Sequence, residues 1–181
     1  MSTQIAFLRA INVGGTGKMP MAELRAVAEK AGLKNARTLL QSGNLVFDAG
    51  AKAPAASEKL LEKACEAAFG VRTDIYVRGA AELEAVAANN PFTSEAIDDP
   101  GHLHVIFMRA VPPAKAFETL QAAIKGRERV RGFRNHAYIH FPDGSGASKV
   151  TPTVIARHLG QPGTARNWNT VRKLLAVVAG P

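Results

Sequence analysis

The stretch ARTLLQSGNLVF, residues 36–47, places two short apolar segments on either side of Ser42-Gly43. Glycine supplies the positive φ that a tight hairpin requires, so the pattern predicts strands at 36–41 and 44–47. Working outward, apolar runs and helix signals predict the other elements of the first half. These are a strand at 4–9, helices at 20–31, 57–69 and 80–88, and a strand at 74–77. The resulting order is βαββαβα.

The second half repeats this order without residue-level identity to the first. Pro91–Gly101 is rich in Pro, Thr, Ser, Asp and Gly and is expected to be a linker. The elements predicted after it are strands at 102–108, 129–133, 137–141 and 164–167, and helices at 113–124, 152–159 and about 171–178. A split βαββαβ order is typical of a four-stranded antiparallel sheet with helices on one face. We therefore expect an α+β chain of two ferredoxin-like halves, 1–92 and 93–181, with extra helices.

Composition restricts the class of protein. Of the 181 residues, 46% are hydrophobic, as a packed globular chain needs. There is no signal-like N-terminus and no apolar run near the ~20 residues that cross a bilayer, so a cytoplasmic protein without a membrane partner is expected. A single cysteine, Cys65, excludes an internal disulfide, and its apolar helical neighbours predict burial.

Basic residues exceed acidic ones by 23 to 15, which gives a net charge of +8. Such a surface attracts polyanions and phosphorylated small molecules, although solubility alone also explains many basic proteins. The densest basic segment is Lys125–Arg134, where three arginines alternate along an expected edge strand. This charge indicates protection against strand pairing between molecules or, alternatively, a nucleic-acid surface.

The loop from Asn12 to Lys18, NVGGTGK, is the best candidate for ligand binding. It lies between a strand and a helix, where backbone N–H groups and the helix dipole hold anions. It is not a P-loop, because asparagine replaces the first glycine and Met19 replaces the magnesium-binding Ser or Thr. The candidate ligand-binding residues are Asn12, Gly14, Gly15 and Lys18. The alternative is a glycine-rich turn that only permits close packing.

The hairpin tip should lie beside this loop, since both fall at the same end of a split βαββαβ sheet. Its polar residues Gln41, Ser42 and Asn44 would then add amide and hydroxyl groups suited to a phosphate or a base edge. Alternatively, Ser42 and Asn44 serve only to stabilise the hairpin by local hydrogen bonds.

A second set of candidates comprises Ser148 and Lys149, before the helix at 152, and Arg166, Asn167 and Trp168 at the end of the last strand. Arginine offers a fixed fork of donors and indole a stacking face, which suits a nucleotide or a phosphorylated ligand. Our hypothesis is that this edge faces the glycine loop across a cleft between the halves. A buried Trp168, with Arg166 and Asn167 tying down the final helix, is the alternative.

Other chemistry has little support in the sequence. His102 and His104 share one strand face, but no third ligand stands at a readable spacing, so neither a metal nor a cofactor is expected. No Ser/His/Asp arrangement or carboxylate pair can be recognised from spacing.

Three segments together resemble a bacterial family known as domain-of-unknown-function family 1697. They are RAINVGGTGKMPMAELR (9–25), RTLLQSGNLVF (37–47) and TARNWNTVRKLL (164–175). The resemblance implies paired ferredoxin-like halves and defines no activity or catalytic residue. The family pattern often has lysine where this chain has Thr16 and tyrosine where it has Leu39, whereas Lys18 matches.

The first functional expectation is a binding protein for an anionic partner, nucleic acid or a nucleotide-like molecule. The second is an enzyme acting on a phosphorylated metabolite, with Lys18 and Arg166 as electrostatic stabilisers and Ser42 or Ser148 as the candidate nucleophile. The third is a scaffold without catalysis.

Overall fold

A computed structural model describes residues 2–12 and 17–180 of the chain. It divides into two units, one formed by Met1–Glu84 together with Leu174–Pro181 and the other by Ala85–Lys173. We call these unit 1 and unit 2 and describe each by itself.

Unit 1 contains one antiparallel sheet, sheet 1, whose strand order is β2-β3-β1-β4. Its elements in chain order are β1 (Thr3–Leu8), α1 (Met21–Lys30), β2 (Lys34–Leu39), β3 (Asn44–Asp48), α2 (Pro54–Phe69), β4 (Ile75–Gly79) and the start of α3 (Ala80–Ala88). The two inner strands are nearly continuous runs of buried residues, as strands covered on both faces require.

Unit 2 repeats this arrangement with sheet 2, whose strand order is β6-β7-β5-β8. Its elements are α4 (Glu95–Asp98), β5 (Leu103–Phe107), α5 (Ala116–Ala123), β6 (Arg129–Phe133), β7 (His136–His140), α6 (Pro152–Leu159) and β8 (Thr164–Asn167). The closing helix α7 (Trp168–Ala179) begins in unit 2, and its residues from Leu174 onward belong to unit 1.

The expected fold class is confirmed: two four-stranded antiparallel sheets of ferredoxin-like order, with helices packed on them. In each unit an apolar cluster lies between the sheet and the helices packed on it. The helices contribute Leu24, Leu61 and Cys65 in unit 1 and Leu120, Ile155 and Leu159 in unit 2. Cys65 is fully buried, as its apolar neighbours predicted.

Several boundaries differ from the sequence expectations. The first hairpin ends its pairing at Leu39 and Asn44, so its turn is the four-residue segment Leu40–Gly43, in which both end residues adopt positive φ. Helix α2 begins at Pro54 instead of Ser57, because proline is well accommodated in the first turn of a helix. The unit boundary falls at 84/85 and not at 92/93, and the expected linker contains α4.

Within the described residues, the helices are all too short or too polar to span a bilayer.

Candidate functional site

The end of sheet 1 that holds the turn of the first hairpin also holds the two described ends of the glycine-rich segment, Asn12 and Gly17–Lys18. Strand register sets Phe7 of β1 opposite Asn44, and the Leu8 N–H donates to the Gly43 carbonyl at 2.9 Å. The expected proximity of these two segments is therefore present. We call this region, formed by residues 9–12, 17–19 and 40–43, the loop end of sheet 1.

Asn12 fixes the base of the glycine-rich loop. Its Nδ2 donates to the carbonyls of Met19 and Gln41, both at 3.0 Å, and its Oδ1 accepts from the Met19 N–H at 2.8 Å. Its own N–H donates to the Gly17 carbonyl at 3.1 Å. The intervening candidates Gly14 and Gly15 lie outside the described residues. Asn12 therefore joins both ends of the loop to the hairpin.

The hairpin tip needs glycine at position 43 for two reasons. Its φ is +77°, and an added Cβ would lie 2.5 Å from the Ile11 Cδ1 atom. Next to it, the fully buried Asn44 donates from Nδ2 to the Leu39 carbonyl at 2.8 Å and to Ser42 Oγ at 3.1 Å. These bonds stabilise the hairpin locally, which is the alternative role expected from the sequence for Ser42 and Asn44.

Among the described candidates at the loop end, Asn12, Lys18, Gln41 and Ser42 are all exposed. Asn12 and Ser42 take part in the side-chain hydrogen bonds above, whereas the Lys18 ammonium and the Gln41 amide do not. The Asn12 side chain bonds to the backbone of both Met19 and Gln41. Because Lys18 directly precedes Met19, these bonds bring the backbones of Lys18 and Gln41 close together. The loop end is thus a fixed backbone frame that carries an ammonium and an amide group on its outside.

A groove of about 360 Å³ lies beside β4, and its charged residues were missed in the sequence. Arg9 forms an ion pair with Asp74 at 3.2 Å, and Arg72 forms one with Glu66 at 2.5 Å. The Thr73 hydroxyl donates to the Arg9 carbonyl at 2.6 Å. Because acidic and basic groups alternate in this groove, it favours no single sign of charge. Only the position of Arg9 directly after a central strand could have drawn attention to it.

Ser148 and Lys149 line a cavity of about 530 Å³ in unit 2, which we call the Ser148 cavity. The Ser148 hydroxyl donates to Glu128 Oε1 and accepts from the Val150 N–H at 2.9 Å. His158 lines the same cavity, with its Nδ1 2.9 Å from the Val154 carbonyl. This contact requires Nδ1 to carry the proton, so Nε2 of a neutral ring is an acceptor.

Arg166 is buried, which corrects its expected role as an exposed fork of donors. Only 6% of it is accessible, and its Nη1 donates to Thr164 Oγ1 at 2.9 Å and to the Ala165 carbonyl at 2.8 Å. Burial lowers the pKa of the guanidinium to about 10.

Asn167 and Trp168 also serve the fold. Asn167 Oδ1 accepts from the Thr170 N–H at 3.0 Å and from its hydroxyl at 2.9 Å, which makes it the N-cap of α7. Trp168 is 6% exposed, so its indole offers no open stacking face. The alternative for this segment, that it ties down the final helix, describes the structure.

A charged cluster that the sequence did not reveal holds the segment before β5. Asp99 contacts His140 Nε2 and His102 Nδ1, both at 2.9 Å, and Glu95 forms an ion pair with Arg129. Arg129 also lies 5.1 Å from the centre of the Phe92 ring. Across the described chain, no group of three or more His, Cys, Asp or Glu side chains is placed to hold a metal ion.

The basic segment 125–134 is largely engaged with the protein itself. β6 is an edge strand, as expected. Arg127, which precedes it, pairs with Asp143 at the surface, and Arg131 on the strand donates to the Val130 carbonyl at 2.8 Å. Arg134 lies 5.1 Å from the centre of the Phe133 ring. The arrangement agrees better with edge protection than with a row of unoccupied nucleic-acid contacts.

Comparison with solved structures finds a likeness to the conserved bacterial protein SP0830 from Streptococcus pneumoniae, with a TM-score of 0.69 and 20% sequence identity. The match covers 97% of this chain and 99% of that one, and at this identity it shows a shared fold. No curated protein matches the chain. The model of the family described as "Protein of unknown function (DUF1697)" matches residues 1–138, and the chain belongs to this family.

Proposed function

We propose that this protein binds an anionic ligand, nucleic acid or a nucleotide-like molecule, at the loop end of sheet 1. The observation that carries the proposal is the set of Asn12 hydrogen bonds, which hold Lys18 and Gln41 on one rigid frame. A binding group on a fixed frame loses little conformational entropy when a ligand arrives.

Backbone strain supports the same location. Three of the six described non-glycine residues with positive φ are Ala10, Asn12 and Leu40, all at or beside the loop end. Such conformations cost about 1–3 kcal/mol each and cluster at ligand-binding sites. The net charge of +8 favours an anion as the partner.

Fluorescence anisotropy with labelled single-stranded DNA and RNA, together with calorimetry using ATP, tests the proposal. Lys18→Ala and Gln41→Ala should each weaken binding, by roughly 5- to 30-fold for a contact worth about 1–2 kcal/mol. For a single-stranded oligonucleotide, Lys18→Ala should also make the slope of log K against log salt concentration less steep by about 0.7, the value for one lost phosphate contact.

Lys34→Ala is the matched control. Lys34 is exposed and lies opposite Asp48, at the end of sheet 1 far from the loop. Its substitution therefore removes the same charge at a distance from the proposed site. Equal losses in the Lys18 and Lys34 variants would attribute binding to net charge alone. Unchanged binding in both loop-end variants would contradict the proposed site.

A second candidate function is binding or turnover of a phosphorylated small molecule at the Ser148 cavity. It is favoured because a hydroxyl, an imidazole and two ammonium groups, those of Ser148, His158, Lys125 and Lys149, line one cavity together with the carboxylates of Glu128 and Asp143. Unit 2 as a whole has a net charge of +6, from 12 Lys and Arg against six Asp and Glu. In an enzyme, Ser148 would be the nucleophile and Glu128, to which its hydroxyl donates, the candidate base. Thermal stabilisation by glycerol 3-phosphate or ribose 5-phosphate that Lys149→Ala removes, and Lys173→Ala retains, would support this function.

A further inference from the structure

A second cavity in unit 2, of about 270 Å³, is chemically unlike the Ser148 cavity. It lies among β5, β8, α6 and the segment that leads into α6. Its walls are mainly apolar and include Ile106, Phe141, Val150, Ile155 and Ala165. We call it the His104 cavity, after its one imidazole.

No charged side chain other than a histidine lines this cavity in the described part of the chain. Transfer of an anion into such surroundings is costly, because no lysine or arginine replaces its lost hydration. This strongly basic protein therefore contains a cavity whose lining disfavours the anionic ligands that its surface attracts.

His104 supplies the polar group that would orient a ligand. Its ring is tilted against Phe141, with the ring centres 5.1 Å apart, and it forms a hydrogen bond with the backbone of Gly101. Burial lowers the pKa of His104, so the ring is neutral at pH 7. A neutral imidazole that donates through one nitrogen presents the other as an acceptor.

We propose that the His104 cavity binds a small uncharged molecule, with an aromatic ring and one O–H or N–H group that donates to His104. The volume lies just below the roughly 300–1,000 Å³ of pockets for drug-sized ligands, which fits a single substituted ring. Apolar walls with a few polar groups, here His104 and the Ser145 hydroxyl, are the usual composition of such a site. This proposal is independent of the loop end of sheet 1.

Nuclear magnetic resonance titration with phenol, toluene and benzoate as probes tests both shape and charge. Phenol should shift amide signals of β5, β8 and α6 at millimolar concentration or below. Toluene, which lacks the donor, should bind about 3- to 10-fold more weakly, as expected for one hydrogen bond. Benzoate should not bind here, because its carboxylate has no cation to meet.

Two substitutions locate the site. Ala165 is an exposed edge-strand residue that lines the cavity, so Ala165→Leu should fill it and abolish phenol binding. Ala110→Leu is the control, since Ala110 is exposed in the same unit and does not line the cavity. His104→Phe keeps an aromatic ring and should remove the preference for phenol over toluene.

Well-dispersed amide spectra identify the variants that are folded. The inference is overturned if phenol leaves the amide signals unchanged, if folded Ala165→Leu binds phenol as the parent does, or if benzoate binds as tightly as phenol. Loss of the phenol preference in His104→Phe, with toluene binding retained, would support it even if Ala165→Leu proved unfolded.

Discussion

Among the glycines in the described part of the chain, Gly43 alone combines a positive φ with a side chain less than 3 Å from the position of an added Cβ. Its φ of +77° is strained for any L-residue, and its Cβ position is occupied by Ile11. We expect Gly43→Ala to destabilise the protein by roughly 2–5 kcal/mol, about 1–2 from the left-handed backbone and about 1–3 from overpacking. Urea unfolding followed by circular dichroism measures the change.

Gly50→Ala is the matched control for that substitution. Gly50 has a φ of +64°, but no atom lies within 4 Å of its added Cβ. It should therefore cost only the backbone part, about 1–2 kcal/mol. Equal losses for the two variants would mean that the contact between the hairpin tip and Ile11 contributes nothing to stability.

Cys65 is predicted to be chemically inert in the folded protein. It is fully buried, and burial together with the nearby Glu62 raises the pKa of its thiol from 9.0 to about 11. Because the thiolate is the reactive form, the ionised fraction at pH 8 falls about a hundredfold. Reaction with a disulfide reagent should be at least that much slower than in 6 M urea. Comparable rates in the two conditions would disprove burial of this thiol.

Individual residues show where the sequence was sufficient and where it was not. Gly43 was recognisable because turn chemistry is local. The roles of Asn12 and Asn44 could not be recognised, because the sequence does not distinguish an asparagine that contacts a ligand from one that bonds to a neighbouring backbone group. For Arg166 the sequence left a ligand-binding and a structural role open, because a charged side chain is ordinarily expected outside, whereas here backbone and hydroxyl acceptors surround part of it.

At the scale of elements, side chains cap the outward backbone groups of edge strands. On β4, Glu62 accepts from the Ile75 N–H and Glu58 from the Val77 N–H, both at 2.9 Å. On β6, Gln121 accepts from the Val130 N–H at 2.6 Å, and the Arg131 guanidinium donates to the Val130 carbonyl. An edge strand whose backbone groups are already bonded is a poor template for another chain.

Gln121→Met, which keeps the side-chain length and removes the amide, tests this protection. The Val130 N–H would lose its acceptor and β6 would become available for pairing. We expect a loss of about 1–2 kcal/mol together with concentration-dependent self-association. Urea unfolding and sedimentation velocity measure the two effects separately.

The control is Gln161→Met, which removes hydrogen bonds of the same kind away from any strand edge. Gln161 bonds to the Ala110 N–H at 3.0 Å and to its carbonyl at 2.8 Å, in a loop. It should lower stability without causing association. Association in both variants, or in neither, would refute edge capping as the reason for Gln121.

The segment 91–101 shows how composition misled the prediction of a linker. Its Pro, Asp and Gly content is typical of loops, yet Glu95 and Asp99 attach it to unit 2 through Arg129 and His140. These partners lie 34 and 41 residues further along the chain, and a sequence window does not reveal such pairing.

These contacts predict acid sensitivity. The hydrogen bond from His140 is the main cause that lowers the pKa of Asp99 below 3.8, and the one from Arg129 lowers the pKa of Glu95 below 4.5. A depressed carboxyl pKa stabilises the folded state above the ordinary value and loses that effect as pH falls through the folded value. The urea midpoint should thus drop between pH 5 and pH 3, and less steeply in Asp99→Asn. Parallel curves for the two proteins would contradict this assignment.

At the scale of the whole molecule, the two units share a feature that sequence comparison of the halves did not detect. Arg78 lies opposite Ile5 on β4, and Arg166 lies opposite Val105 on β8, so both arginines occupy the same register position in the last strand of a sheet. Both are buried, and each donates to the carbonyl of its preceding residue at 2.8 Å. The repeat is therefore preserved in register and burial, while most side chains have diverged.

Residues Leu174–Pro181 belong to unit 1, so changes in this segment should affect stability. Leu174 is fully buried, whereas its neighbour Lys173 is exposed. We expect Leu174→Ala to cost about 2–5 kcal/mol, as for other buried leucines, and Lys173→Ala to cost less than about 0.5 kcal/mol. A chain ended after Lys173 should lose at least as much as the leucine variant, since it lacks that side chain and the rest of α7. Urea unfolding followed by circular dichroism compares the three. If the shortened chain unfolded at the parental urea concentration, the residues from Leu174 onward would not be a structural part of unit 1.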